Sequence, residues 1–153
     1  MTFVYALSVA DKFIRCGEAR RALVVGADVH SRLLDWEDRA SCVLFGDGAG
    51  AVVLEASENP GIISTHLQAD GNFEPLLYVE GSIADGYDNA AAGAAKVRME
   101  GREVFKLAVQ RLTATARETL AKHSLDCTDL DRLVPHQANR RIIQTVAKKL
   151  DLP

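Results

Sequence analysis

The sequence carries no surplus of positive charge: 18 basic residues against 21 acidic ones leave a formal net charge of -3. Nothing general therefore points to nucleic acid or an anionic membrane as a partner, and a partner drawn by charge must be drawn by a local patch. No apolar run approaches the length that spans a bilayer, and the first residues do not read as a secretory leader. Paired cysteines are lacking too. Cys16, Cys42 and Cys127 are odd in number, fall in three different kinds of segment, and form no Cys-x-x-Cys pair. That argues against a disulfide framework and against a metal site, and for a reducing cytoplasm. What is present is ordinary for a globular protein: 48% hydrophobic and 25% charged residues over 153 positions, enough for a sizeable core.

Along the chain, Phe3, Leu7, Val9, Ala10, Phe13 and Ile14 have helical spacing, and Gly17 is placed to end that helix. The apolar run from Arg21 to Ala27 does not alternate, which suits a strand buried on both faces, as in a parallel sheet. Helix followed by buried strand indicates an α/β layered protein. Ser31 to Arg39 reads as a polar surface loop. Val52, Val53 and Leu54 predict a strand after the glycines, Asn59-Pro60-Gly61 a turn, and Ile62 to Leu67 a further strand. Asp70 to Lys96, rich in Gly, Ala, Asp and Asn, reads as a long irregular excursion. Val104, Leu107, Ala108, Leu112, Ala116 and Leu120 make Arg102 to His123 the best helix. Leu130 to Val134 is expected as a short strand, and Ala138 to Leu150 as an amphipathic helix with Lys148 and Lys149 at its negative end. Helix-then-strand thus occurs twice, and Pro153, directly after a helix, is an odd place for a domain to finish.

Gly46-Asp-Gly-Ala-Gly-Ala51 formally matches a dinucleotide-binding fingerprint, whose physics requires a helix next, to receive a pyrophosphate at its N-terminus. Here strand-forming residues follow, and no Lys-Ser or Lys-Thr completes a phosphate loop. Tight backbone approach inside a packed sheet is the favoured reading of these glycines. His136 stands directly after an expected strand and beside a helix start. An imidazole held there could donate to an oxyanion or move a proton, or could merely cap the helix; both readings stay open. His30, His66 and His123 have no comparable setting. Lys106, Arg140, Arg141, Lys148 and Lys149 could gather a basic patch fit for a phosphate or an acidic protein, against the plainer reading of a solvated helix face.

Phe45-Gly-Asp-Gly-Ala-Gly-Ala-Val-Val-Leu54, Met99-Glu-Gly-Arg-Glu-Val-Phe105 and Val134-Pro-His-Gln-Ala-Asn-Arg-Arg-Ile142 resemble segments of β-ketoacyl-acyl-carrier-protein synthase III, in order and approximate spacing. Tyr5-Ala-Leu-Ser-Val-Ala-Asp11 and Ala22-Leu-Val-Val-Gly-Ala-Asp28 do so as well, and the likeness runs over essentially the whole chain. The resemblance implies a thiolase-like layered α/β fold, here incomplete: residues 1–58 as the end of the N-terminal half and residues 59–153 as the start of the C-terminal half. It implies condensation of an acyl-CoA primer with malonyl-acyl carrier protein in fatty-acid initiation, without a cofactor, by an enzyme that is usually a homodimer.

Carried over position by position, His136 matches the catalytic histidine. Trp36 and Arg39 lie where the family approaches coenzyme A; Phe105 lies near the acyl tunnel and Asn139 near the pantetheine path. Gln137, Ala138, Asn139, Arg140 and Arg141 match the carrier-protein contact, with Lys106, Lys148 and Lys149 added to its basic surface. Two departures weigh against activity. The nucleophilic cysteine would fall just before residue 1 and the catalytic asparagine beyond Pro153, while Cys16, Cys42 and Cys127 are poor substitutes. The resemblance therefore implies a piece of such an enzyme, inactive alone. A non-catalytic module binding a carrier protein or subunit, and a condensing enzyme of secondary metabolism, are the alternatives.

Overall fold

In the computed structural model, which describes residues 2–59, 61–81 and 95–152, the helical spacing of the first segment produces α1 (Thr2–Arg15). Gly17 ends it, as expected, at φ 79° with its N–H on the Ile14 carbonyl at 3.0 Å. A side chain would be strained in that left-handed conformation. Asp11 is buried on this helix and accepts from Lys12 at 2.8 Å and Arg15 at 2.7 Å. The Lys12 ammonium first, and then the Arg15 guanidinium, hold its carboxyl below the usual carboxylate range against the opposing effect of burial.

Strands β1 (Arg21–Asp28) and β2 (Gly48–Glu55) pair in register from Arg21 opposite Glu55 to Asp28 opposite Gly48. Val24 is buried, and a Cβ on Gly26 would come within 2.9 Å of Phe3 Cβ, so α1 needs glycine there to seat on the strand. Three expectations are corrected here. The β1 pairing is antiparallel, and β1 is not buried on both faces: Leu23 and its partner Val53 are 68% and 67% exposed. Within this unit α1 covers one face and leaves the other open. Nor do the glycines of the 46–50 segment permit a tight approach. A Cβ on Gly46, Gly48 or Gly50 meets nothing within 4 Å. The strand expected after them does form, which leaves no helix terminus for a pyrophosphate. Third, 62–67 forms no strand. Side chains anchor it instead, with Arg15 donating to the Ile62 carbonyl and Ser8 and Thr65 sharing a hydrogen bond of 2.8 Å.

A short 3-10 segment (Gly71–Leu76) leads into β3 (Leu77–Glu80), which pairs antiparallel with β4 (Lys96–Met99). The excursion expected over 70–96 is therefore ordered at both ends. Residues 82–94 of it, like Met1, Pro60 of the expected turn and Pro153, lie outside the described residues. The long helix forms as α2 (Gly101–Ala121), and the last one as α3 (Arg140–Lys149). Val109 of α2 joins Ile142, Val146 and Leu150 in one buried cluster, flanked by Phe105, Ala108, Leu112 and Cys127. The expected strand at 130–134 is absent. Val134 is 84% exposed, and without a neighbouring ladder its apolar residues remain an irregular connection. Among the described residues, helix-then-strand accordingly occurs once, not twice.

Two compact units result: Met1–Arg32 with Phe45–Asp70, and Leu33–Leu44 with Gly71–Pro153. They are groupings by compactness, a different matter from the two halves of a duplicated fold, and leave the expected division after residue 58 where it stood.

Candidate functional site: the histidine turn, the basic helix and the Trp36 turn

Every residue given a catalytic, coenzyme A or carrier-protein role by the resemblance falls in the second unit. The histidine turn is built by its neighbours. Gln137 donates its side-chain amide to the Pro135 carbonyl at 2.9 Å, and the Asn139 side-chain oxygen accepts from the Ile142 N–H at 2.9 Å. Asn139, in extended conformation, is thus the N-cap of α3. That decides the first open question: His136 is not the cap. Its imidazole is exposed and makes no hydrogen bond to any described residue. The capping work that could have occupied it is done three residues later.

Arg140, Arg141, Lys148 and Lys149 are all exposed on α3, with Arg141 and Lys148 on one face. Lys106 is paired with Glu103 at 2.8 Å, one turn back on α2, so part of its charge is matched locally and Glu103 is held below its ordinary value. Lys106 and Lys149 nevertheless line a single groove between α2 and α3, of about 480 Å³, and Phe105 lines it with them. Arg117 lines the same groove and donates to the Lys149 carbonyl at 2.6 Å, stabilising the end of α3. The sequence reading passed over Arg117. Its signal was its place eleven residues, about three turns, after Lys106 on the same helix.

Trp36 and Arg39 project from the turn between Leu34 and Ser41. The expected surface loop has two buried anchors, for Leu34 and Ser41 are each only 1% exposed. Between them Asp35 accepts from the Glu37 N–H, and Asp38 from the Ala40 N–H and the Ser41 hydroxyl. The Ser41 hydroxyl first, then the Ala40 N–H, lower the Asp38 pKa. Trp36 itself is 65% exposed. The three cysteines are free thiols, Cys16 exposed and Cys127 packed against the α2–α3 cluster. No group of His, Cys, Asp and Glu among the described residues could hold a metal ion. None of the described helices is long and apolar enough to cross a membrane.

The mixed α/β frame that carries this histidine and the basic helix agrees with the comparisons. The family described as 3-oxoacyl-[acyl-carrier-protein] synthase III matches residues 1–71, and its C-terminal counterpart matches residues 120–153. The β-ketoacyl-[acyl-carrier-protein] synthase III of Thioalkalivibrio sulfidiphilus is 58% identical over 99% of this chain and 47% of its own length. Among solved structures, the synthase III of Aquifex aeolicus matches with a TM-score of 0.85 and 45% identity, over 99% of this chain and 46% of that one. The priming β-ketosynthase of a polyketide pathway matches with a TM-score of 0.87 and 36% identity, over 99% and 45%. These are thiolase-like enzymes, and the frame described above is part of that fold. The chain belongs to the β-ketoacyl-acyl-carrier-protein synthase III family. It spans about half the length of the curated relatives it matches.

Proposed function

We propose that these residues serve the decarboxylating half of a ketoacyl synthase III reaction, in which an acyl-CoA primer is condensed with malonyl-acyl carrier protein to begin fatty-acid synthesis. The observation that carries this is His136, exposed beside the N-terminus of α3 and relieved of capping by Asn139. As the malonyl thioester loses carbon dioxide, the electron pair of the breaking C–C bond moves into the thioester and charge gathers on its carbonyl oxygen. An imidazole N–H donating to that oxygen stabilises the enolate more than the ground state, which is what lowers the barrier. Arg140, Arg141, Lys148 and Lys149 would meet the acidic surface of the carrier protein, with Gln137 and Ala138 at its edge and Lys106 in the adjoining groove. Trp36 and Arg39 would meet the nucleotide end of coenzyme A, and Asn139 and Phe105 its pantetheine and acyl path.

The reading includes a cytoplasmic, homodimeric full-length enzyme without cofactor, and neither nucleic acid nor membrane as partner. Fatty-acid initiation is preferred to a role in secondary metabolism because relatives named β-ketoacyl-[acyl-carrier-protein] synthase III reach 58% and 56% identity, against 36% for the polyketide enzyme. None of the chain's three thiols stands at the N-terminus of a described α-helix, where a thiolate would be favoured: Cys127 packs into the α2–α3 cluster, Cys42 is half-buried in the turn after Ser41, and Cys16 follows the C-terminal end of α1. Incubated with radiolabelled acetyl-CoA and malonyl-carrier protein, the 153-residue chain is expected to retain no covalent label and form no ketoacyl product. It should still bind the carrier protein in a saturable, salt-sensitive way. Covalent labelling would contradict the first part, and an absence of binding the second.

A further inference from the structure

The turn that carries Trp36 and Arg39 is acidic, with Asp35, Glu37 and Asp38 within five residues. A phosphate-bearing ligand approaching it meets three carboxylates, of which Glu37 is exposed while Asp35 and Asp38 are engaged by the protein itself. Asp38 is occupied by Ser41 and Ala40. Asp35 is met from β4: Arg98 Nη1 lies 3.4 Å from its carboxylate, while Arg98 Nε donates to Glu80 of β3 at 2.6 Å. The guanidinium is thus fixed on one side by the strand pair and reaches the turn with the other. Two residues earlier, on the same face of β4, Lys96 donates its ammonium to the Leu34 carbonyl at 3.0 Å. An alternating Lys-Arg pair on a strand is a legible signal, but Lys96 closes the stretch that the sequence presents as irregular and Arg98 follows it before the long helix.

We infer that Lys96 and Arg98 are positioning residues that hold the 34–39 turn so that Trp36 and Arg39 can receive the nucleotide end of the acyl-CoA, an inference that rests on reading those two as coenzyme A contacts. The turn is short and irregular, and its ordering would otherwise be charged to binding. Held at the Leu34 carbonyl, the Asp35 carboxylate and the buried Ser41, it leaves Trp36 and Arg39 as exposed side chains that none of these clamps uses. The arginine fork matters, because a single ammonium cannot serve Glu80 and Asp35 in the same geometry.

Trp36 is the one tryptophan of the chain, so its fluorescence reports on this turn alone. In the unliganded chain, Arg98→Met is expected to raise acrylamide quenching of Trp36 and lower its anisotropy, with the far-ultraviolet circular dichroism unchanged. Titrated with coenzyme A, Arg98→Met and Asp35→Asn should each weaken binding about tenfold, and the double variant no further, since both remove the same contact between Arg98 and the turn. Arg98→Lys should recover part of the loss. If Arg98→Met fails to fold, Asp35→Asn and Arg98→Lys carry the same comparison. Unchanged affinity and quenching in the variants, with normal binding by the parent chain, would overturn the positioning role and leave the coenzyme A reading intact. A parent chain that does not bind coenzyme A would overturn that reading and this inference with it, whereas the quenching data would still decide whether Arg98 holds the turn.

Discussion

His136 and Asn139 stand three residues apart and are separated by function: one caps a helix, the other is left with a free imidazole. Removing the cap in Asn139→Ala should cost about 1 kcal/mol of stability, while Asn139→Asp should keep most of it. Urea unfolding followed by circular dichroism measures this, and an unchanged midpoint in the alanine variant would deny the cap its role. Asp38 makes a second prediction at this scale. Its folded pKa is lowered by Ser41 and Ala40, so its anchoring is fully present above the unfolded carboxylate value of about 4 and is lost as pH falls through the lower folded value. Trp36 should therefore become more accessible to quencher in acid, and Asp38→Asn should remove most of that dependence. A variant with the parent's pH profile would assign the transition to another group.

At the scale of elements, α3 is the piece whose chemistry is most exposed. Arg141→Glu reverses one charge on the face shared with Lys148. It should weaken carrier-protein binding about tenfold and flatten its salt dependence, leaving coenzyme A binding unaltered. Equal loss of both ligands would point to damaged folding instead. The three described α-helices were legible in the sequence because each carries its own periodic apolar stripe, and α1 and α3 carry basic residues in their last turns. Strands were legible only where a partner exists. β1 and β2 could be read from Leu-Val-Val and Val-Val-Leu, but not their antiparallel pairing, because a continuous apolar run does not reveal which faces are covered. The runs at 62–67 and 130–134 have strand-like composition and no ladder, since β structure depends on what lies beside it. β3 and β4 were missed for the opposite reason: four residues each, in polar surroundings, too short for alternation to stand out.

For the whole molecule, the histidine turn and the basic residues could be located from sequence, whereas their supports could not. Arg117 on the Lys149 carbonyl, Arg98 on Asp35 and Lys96 on Leu34 join residues far apart in the chain, so spacing can single out the cation but not the partner it meets. The exposed apolar residues Leu23, Val25 and Val53 belong to a chain spanning about half of its relatives. The decisive chemistry is best measured in a full-length enzyme carrying this segment, where acylation by the primer and decarboxylation of malonyl-carrier protein can be timed separately for His136→Ala. Charge on the thioester oxygen grows most as carbon dioxide leaves. Losing that donor should therefore cost about 3 kcal/mol in the decarboxylation step, a hundredfold or more in rate, with acylation slowed only a few-fold. An enzyme that acylates slowly but decarboxylates at the parent rate would contradict the role given to His136.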